Sequence, residues 1–207
     1  HARTGIQCLP INTSVQLFAQ VEAGEWPPRA ARMLMVPDLV NRHLCGSEVS
    51  EETNASTTQL LDARSRRWDA ELCAKLGVPS AVLPELVRAG TPLGRLRPEL
   101  ARRLGLGEIE VVAPGTHDTA SAVAGTPLEP GWAYVSSGTW SLVGVERASP
   151  VVNEAVAGAN FTNEGGASGT VRLLKNVMGL WIFDSCRFEW EERGLCDDLD
   201  GLLTAAA

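Results

Sequence analysis

Residues 111–125 read Val-Val-Ala-Pro-Gly-Thr-His-Asp-Thr-Ala-Ser-Ala-Val-Ala-Gly, and this stretch decides the fold that we expect. The β-branched apolar run at residues 109–113 predicts a buried strand, which a Pro-Gly pair ends. The small residues at 117–125 predict a short helix directly after it. This order is typical of α/β folds, in which ligands bind at the carboxyl ends of the strands. The polar residues at that point are His117, Asp118 and Thr119.

Asp118 is the candidate general base of this cluster. A carboxylate is a weak base at neutral pH, and a weak base suits phosphoryl transfer, in which the proton of the attacking hydroxyl can leave late. It suits removal of a proton from carbon poorly. The alternative is that Asp118 only caps the free amides in the first turn of the predicted helix.

His117 has two interpretations. It is either a satisfied structural histidine or a hydrogen-bonding partner for a substrate hydroxyl. No second His, Cys or carboxylate stands at metal-ligand spacing, so the sequence predicts no metal site here. A hydrolase that uses His117 and Asp118 on water is disfavoured, because the sequence shows no set of nucleophile, base and orienting residue.

A second polar cluster lies between two β-rich runs, at residues 132–137 and 140–146. The Gly138-Thr139 pair between them predicts a hairpin. Its Ser, Gly and Thr residues form either a plain polar turn or a site where backbone amides and hydroxyls converge on an anion. It is not a Walker loop, because the chain contains no Gly-Lys-Ser/Thr.

A third candidate is Asn176, at the start of a predicted amphipathic helix over residues 176–193. Asn176 either caps this helix or contacts a ligand. The apolar residues that we expect the helix to bury are Val177, Leu180, Trp181 and Phe188.

The rest of the chain predicts two lobes. In the first hundred residues, apolar periodicity with Gly and Pro at the ends predicts helices near 13–23, 33–45, 68–76 and 96–106. Pro127 and the Pro130-Gly131 pair then mark a break. We expect one domain over residues 1–127 and a second, richer in hairpins, over residues 128–207, in an α/β architecture.

Composition limits the classes of partner. Of the 207 residues, 44% are apolar and 21% are charged, and the net charge of −7 argues against a general nucleic-acid surface. No apolar run approaches the roughly 18 residues of a membrane span. The five cysteines are odd in number and widely spaced, which favours reduced thiols in the cytoplasm. They are Cys8, Cys45, Cys73, Cys186 and Cys196.

Taken together, several segments resemble the FGGY carbohydrate kinases, in family order and over nearly the whole chain. The most specific ones are Gly115-Thr-His-Asp-Thr and Leu174-Lys-Asn-Val-Met-Gly-Leu-Trp. The others are Arg3-Thr-Gly-Ile-Gln, Pro10-Ile-Asn-Thr, Leu34-Met-Val-Pro-Asp, Thr53-Asn-Ala-Ser-Thr-Thr-Gln-Leu, Ser136-Ser-Gly-Thr-Trp-Ser-Leu and Asn163-Glu-Gly-Gly.

This resemblance implies an actin-like, ribonuclease-H-like two-domain fold, represented here by the end of the first domain and the start of the second. It implies transfer of the γ-phosphoryl group of ATP, with Mg²⁺, to the C1 hydroxyl of L-rhamnulose. By the same resemblance Asp118 is the catalytic base, which also contacts the sugar, and Thr139 faces the γ-phosphate. The residues that it implies hold the sugar beside Asp118 are His117, Thr119 and Asn176.

Two features depart from the family pattern. Position 184, where the family tends to carry a Gln near the nucleotide, is Asp184, so we leave it out of the site. The family's N-terminal phosphate-contacting hairpin and C-terminal Gly-rich adenosine site do not occur in these residues. We therefore expect the chain to be an interior piece that is inactive and poorly soluble alone. The alternatives are a kinase for another ketose, such as L-fuculose or xylulose, and a catalytically silent sugar-binding relative.

Overall fold

The structure is a computed structural model that describes residues 1–195 and 198–206. Its helices are Thr13–Glu22 (α1), Val36–Cys45 (α2), Glu52–Thr57 (α3), Ala70–Lys75 (α4), Pro98–Leu104 (α5), Asp118–Ala124 (α6), Glu154–Gly158 (α7), Leu180–Glu192 (α8) and Leu199–Ala206 (α9). Its strands are Ser50–Glu51 (β1), Leu86–Val87 (β2), Pro92–Arg95 (β3), Glu110–Val112 (β4), Tyr134–Ser137 (β5), Trp140–Arg147 (β6), Phe161–Gly165 (β7) and Val171–Met178 (β8).

The four helices predicted in the first hundred residues are confirmed as α1, α2, α4 and α5. Local signals set their ends. Helix α2 ends at Gly46, whose φ of 85° lies in the left-handed region that favours glycine. Helix α4 begins after Asp69, whose carboxylate accepts a hydrogen bond from the Leu72 amide at 3.0 Å.

The strand predicted at 109–113 is confirmed in a shorter form as β4, Glu110–Val112, but its predicted burial is wrong. Strand β4 pairs antiparallel with β3 in a two-stranded ribbon. Ile109 and Val112 are about two-fifths exposed, and only Ala113 at the end of the run is buried. A two-stranded antiparallel ribbon tolerates a solvated face, which explains why this apolar run is partly exposed. The His-Asp-Thr cluster nevertheless opens a helix, α6, as predicted.

The main sheet is antiparallel with the strand order β5-β6-β8-β7. The predicted hairpin is confirmed, because β5 and β6 pair through Ser137 and Ser141 around Gly138-Thr139. Strands β6 and β8 pair along their whole length, from Trp140 opposite Met178 to Arg147 opposite Val171. This register places one end of the sheet beside the Gly138-Thr139 turn.

The predicted start of the long helix at Asn176 is wrong. Asn176 lies within β8, opposite Leu142 on β6, and the helix α8 begins only at Leu180. Backbone pairing with β6 holds residues 176–178 extended and overrides the apolar helical periodicity of the local sequence. The expected burial of α8 is also wrong, since Leu180, Trp181 and Phe188 are 49%, 52% and 57% exposed.

In the part of the chain that the structure describes, two apolar clusters organise the packing. One joins α4 to the segments around it, and its buried members are Leu60, Cys73, Val78 and Val82. The other joins α6 to the main sheet through Val123, Tyr134 and Leu174, which lie on α6, β5 and β8. This second cluster seats the end of α6 on the sheet, and the contact between His117 and Arg172 places the start of the helix near β8. The division at residues 127 and 128 stays a prediction.

No helix in the described part of the chain has the length and apolarity needed to cross a membrane. Four of the five cysteines are free thiols: Cys8, Cys45, Cys73 and Cys186. Cys196 lies outside the described residues.

Candidate active site

Asp118 is the first residue of α6, and its side chain is 97% exposed. Its Oδ1 accepts hydrogen bonds from the amide of Thr119 at 2.6 Å and from the Thr119 hydroxyl at 3.3 Å. Among the described residues, these are the hydrogen bonds that Asp118 makes through its side chain, and the exposure of that side chain leaves the second carboxylate oxygen open to solvent. The geometry therefore allows the Asp118 carboxylate to contact a ligand at the start of the helix.

His117 precedes α6 and has a largely buried ring. Its Nε2 lies 3.9 Å from Oδ1 of Asp118, and its Nδ1 lies 2.6 Å from Nη2 of Arg172. Burial lowers the pKa of His117, and the positive charge of Arg172 adds to this lowering against the opposing effect of Glu164. His117 is therefore a neutral imidazole at physiological pH, fixed on one side and adjacent to Asp118 on the other.

Arg172 lies on β8 and is fully buried. It donates to the carbonyl of Gly165 at 3.2 Å and to the carboxylate of Glu164 at 3.0 Å, both on β7. Two buried polar atoms of this region have no hydrogen-bond partner among the described residues. They are Nη1 of Arg172 and the hydroxyl oxygen of Tyr134. Burial raises the pKa of Tyr134 to about 12, so its hydroxyl stays protonated.

The loop before α6 is held by Glu51 from the first half of the chain. The Glu51 carboxylate is buried and accepts hydrogen bonds from the amide and the hydroxyl of Thr116. The hydroxyl of Thr53 in turn accepts a hydrogen bond from the His117 amide at 3.1 Å. Elements from both halves of the chain therefore fix the position of His117, with β1 and α3 on one side and β7 and β8 on the other.

These supporting residues are absent from the site that the sequence predicts. They are Glu51, Thr53, Glu164 and Arg172. One signal was available for Arg172. It lies on the same face of β8 as Leu174 and Asn176, and a charged side chain is unusual beside the buried Leu174. Glu51 gave no such signal, since its role depends on a loop 65 residues away.

Asn176 is connected to the first half of the chain by its side chain. Its Nδ2 donates to Oε1 of Gln7 at 3.2 Å, and its side chain is partly exposed. Asn176 and Arg172 share a face of β8 and are four residues apart, which corresponds to roughly 13 Å along a strand. Asn176 therefore lies on the same strand face as the residue that contacts His117, farther toward the Gly138-Thr139 turn.

Thr139 lies in that exposed turn, which rests on the start of α8. The amides of Leu180 and Trp181 donate to the carbonyls of Gly138 and Thr139 at 2.8 and 3.3 Å. Gly179 makes this approach possible, because a Cβ there would lie 2.5 Å from the Gly138 carbonyl oxygen. Within the described ranges, no hydrogen bond connects Thr139 with the cluster at Asp118.

The structure thus brings His117, Asp118 and Thr119 together and places Asn176 and Thr139 along the same sheet. Asp184 lies on α8 with its side chain about half exposed, and its Oδ1 is 3.8 Å from Nε of Arg187. Among the residues described, no group of three or more His, Cys, Asp or Glu side chains is arranged to hold a metal ion.

Comparison with known families gives two matches along the chain. Residues 1–125 match the N-terminal domain of the FGGY family of carbohydrate kinases. Residues 133–207 match the C-terminal domain of the same family. Together these matches cover most of the sequence.

Curated relatives with similar sequences carry the name rhamnulokinase. The protein from Pectobacterium carotovorum subsp. carotovorum is 46% identical over 209 residues, which cover 100% of this chain and 40% of that protein. The protein from Bacillus subtilis is 41% identical over 188 residues, which cover 90% of this chain and 38% of that protein. The chain therefore spans about 40% of the length of these relatives.

Solved structures share the fold. A crystal structure of a xyloylose kinase from Brucella ovis matches with a TM-score of 0.76 and 26% identity, over 93% of this chain and 40% of that one. A Plasmodium falciparum glycerol kinase with ADP matches with a TM-score of 0.78 and 14% identity, over 97% of this chain and 40% of that one. At 14% identity, the second likeness concerns the fold alone.

Proposed function

The chain belongs to the FGGY family of carbohydrate kinases and has part of their actin-like, ribonuclease-H-like fold, and from this premise we propose that the full-length protein is an ATP-dependent sugar kinase. The acceptor that we propose is the C1 hydroxyl of L-rhamnulose. Support for this sugar comes from the relatives named rhamnulokinase, at 41% and 46% identity. Because the chain spans about 40% of their length, the activity belongs to the full-length protein.

The observation that carries the proposal is the exposed carboxylate of Asp118 beside the neutral, fixed ring of His117. In phosphoryl transfer the attacking hydroxyl must lose its proton, and a carboxylate within hydrogen-bond distance can accept that proton as the bond to phosphorus forms. Asp118 takes this role in the proposal. Its open carboxylate oxygen is the atom that would receive the proton.

The sugar is held in this proposal by residues around Asp118. His117 and Thr119 flank the base, and each carries a polar group near its carboxylate. Asn176 contributes an amide farther along β8, where it already contacts Gln7. Holding the acceptor hydroxyl in line with the phosphorus is the main contribution that such residues make to the rate.

ATP approaches from the turn at Thr139 in this proposal. Thr139 is exposed, and the close packing of the turn on Gly179 fixes the backbone that carries it. Mg²⁺ in such sites is usually held by the nucleotide phosphates and one or two carboxylates, so a cage of protein ligands is not required. When bound, it neutralises the charge that develops on the phosphates.

The proposed location is the cytoplasm, where ATP is available. The free thiols of the four described cysteines fit a reducing compartment. The sugar and ATP are the proposed partners, without nucleic acid or membrane.

The first experiment measures ADP production by the full-length protein with L-rhamnulose, L-fuculose and xylulose. We expect the highest kcat/KM with L-rhamnulose. A higher kcat/KM with another ketose would overturn the choice of L-rhamnulose but would still support the proposed kinase activity. No turnover with any of the three would favour the silent sugar-binding alternative.

The second experiment compares Asp118→Asn with Asp200→Asn in the full-length protein. Asp200 is also an exposed aspartate in the first turn of a helix, α9, and serves as the matched control. We expect Asp118→Asn to lower kcat by about 10²- to 10⁴-fold, the usual range for a general base, with little change in sugar affinity. Unchanged turnover would overturn the assignment of the base.

A further inference from the structure

The buried guanidinium of Arg172 lies between two side chains, His117 and Glu164. Its Nη2 is 2.6 Å from Nδ1 of His117 and 3.0 Å from Oε2 of Glu164. Arg172 is fully buried, so these contacts replace the water that would otherwise solvate its charge.

The donor capacity of arginine decides which nitrogen of His117 carries the proton. A guanidinium has five N–H donors and no acceptor, and it keeps its charge in proteins. At 2.6 Å, a proton on Nδ1 of His117 would face an N–H of Arg172, which is a repulsive arrangement. Nδ1 is therefore the acceptor, and in a neutral ring the single proton is on Nε2.

Glu164 offers a competing arrangement, in which Nδ1 carries a proton and donates it to the carboxylate. The distance from Nδ1 to Oε2 of Glu164 is 3.5 Å, which is 0.9 Å longer than the distance to Arg172. The carboxylate already accepts from Arg172 at 3.0 Å. The shorter contact favours Arg172 as the partner of Nδ1.

We propose that Arg172 is a positioning residue that holds His117 as the neutral tautomer protonated on Nε2. The Nε2–H then lies on the side of the ring that faces Asp118, 3.9 Å from its Oδ1. There it acts as a hydrogen-bond donor to an oxygen of the bound substrate. This consequence rests on the proposed sugar kinase function, whereas the tautomer itself does not.

A donor at this position has a defined chemical effect. It recognises an oxygen lone pair of the sugar and leaves Asp118 as the acceptor for the hydroxyl proton. A ring of the opposite tautomer would place a second acceptor beside the carboxylate, and a substrate hydroxyl would then lack a donor on that side.

The direct test is the protonation pattern of His117 in the full-length protein at pH 7.5. The protein is labelled with ¹⁵N-histidine, and long-range ¹H–¹⁵N correlation spectra distinguish the two tautomers and the imidazolium. The signals of His117 are identified by their loss in His117→Gln. We expect protonated Nε2 and bare Nδ1. Protonation of Nδ1, alone or together with Nε2, would overturn the proposal, and this measurement needs no variant at Arg172.

Variants at Arg172 test the cause. In Arg172→Met the donor is lost, and we expect the spectra to change toward a mixture of tautomers or the Nδ1–H form that pairs with Glu164. Arg172→Lys keeps a cationic donor, and we expect it to retain more of the Nε2–H form. The matched control is Arg147→Met, an exposed arginine at the end of the neighbouring strand β6, which should leave the His117 signals unchanged. A wild-type pattern in a folded Arg172→Met variant would overturn the role of Arg172.

Kinetic measurements test whether the tautomer of His117 affects binding of the sugar. We expect Arg172→Met to raise the KM for the sugar by at least about tenfold, which corresponds to one hydrogen bond of about 1.4 kcal/mol, with a smaller effect on the KM for ATP. A changed tautomer with unchanged KM for the sugar would overturn the donor role. Absence of turnover with every ketose, alongside the expected wild-type spectrum, would overturn the proposed function and leave the tautomer assignment standing.

Discussion

Glu51 accepts two hydrogen bonds from Thr116, one from its amide at 2.9 Å and one from its hydroxyl at 3.0 Å. The same buried carboxylate also accepts from the amide of Thr53 at 3.0 Å and from its hydroxyl. Segments 65 residues apart in the sequence are thereby joined at the loop that leads into α6. The Glu51 carboxylate therefore fixes part of the loop geometry in front of Asp118.

Replacing Glu51 by glutamine tests this dependence. The amide keeps one oxygen but turns an NH₂ group toward protons of Thr53 or Thr116, so a buried donor is left unpaired. We expect a loss of about 1–3 kcal/mol in the free energy of unfolding, the usual cost of such a group, together with a lower kcat. Urea unfolding and the ADP assay measure the two effects.

The control is the neighbouring residue, in the variant Glu52→Gln. Glu52 pairs with Arg66 at 2.8 Å and makes no hydrogen bond to the loop among the described residues. We expect a smaller loss of stability and a normal kcat. Equal effects of the two variants would contradict the role given to Glu51.

Gly179→Ala is expected to disturb the turn that carries Thr139. The added Cβ would lie 2.5 Å from both the Gly138 carbonyl oxygen and the Ser141 hydroxyl, so the backbone of the turn must move. We expect a higher KM for ATP and a nearly normal KM for the sugar. Gly158→Ala on α7 is the control, because a Cβ there meets nothing within 4 Å. A normal KM for ATP in Gly179→Ala would argue against a nucleotide role for the turn.

Asn176 and Lys175 are neighbours on β8 that point to opposite faces. Asn176 contacts Gln7, whereas Lys175 lies 6.0 Å from the ring centroid of Phe161. We expect Asn176→Ala to raise the KM for the sugar by about 10- to 100-fold, the loss of about 1–3 kcal/mol for a lost hydrogen bond to the substrate. Lys175→Ala should change that KM little. A larger increase of this KM in Lys175→Ala than in Asn176→Ala would contradict a role of Asn176 in sugar binding.

The lowered pKa of His117 predicts a stability that depends on pH. Because burial disfavours the charged ring, the unfolded chain binds more protons at this position once the pH falls below the ordinary value of 6.5. The contribution of His117 is therefore fully present above pH 6.5 and is lost as the pH falls from 6.5 toward the lowered pKa.

The measurement compares thermal midpoints of the wild type and His117→Gln between pH 7.5 and pH 5.5. As the pH falls, the thermal midpoint of the wild type should decrease more than that of His117→Gln. His43→Gln, at an exposed position on α2, controls for the loss of a histidine as such. A gap that stays constant over this range would contradict the burial of a neutral ring.

Local signals were sufficient for the helices of the first half and for the hairpin. Gly46 ends α2 and the Asp69 side chain caps α4, because both act on backbone groups within a few residues. The extension of β8 through Asn176 was not predictable in this way. It depends on pairing with β6, from a segment more than thirty residues earlier, and that pairing competes with the helical pattern of the same residues.

Sequence alone determined the polar cluster His117-Asp118-Thr119, its place at the start of a helix and the family resemblance, because these features lie in short contiguous motifs. Only the tertiary structure decided which groups hold that cluster. Glu51 and Arg172 reach it from opposite sides, through hydrogen bonds that span 65 and 55 residues of chain. Such contacts form when buried charges find partners in the folded state, and no local spacing encodes them.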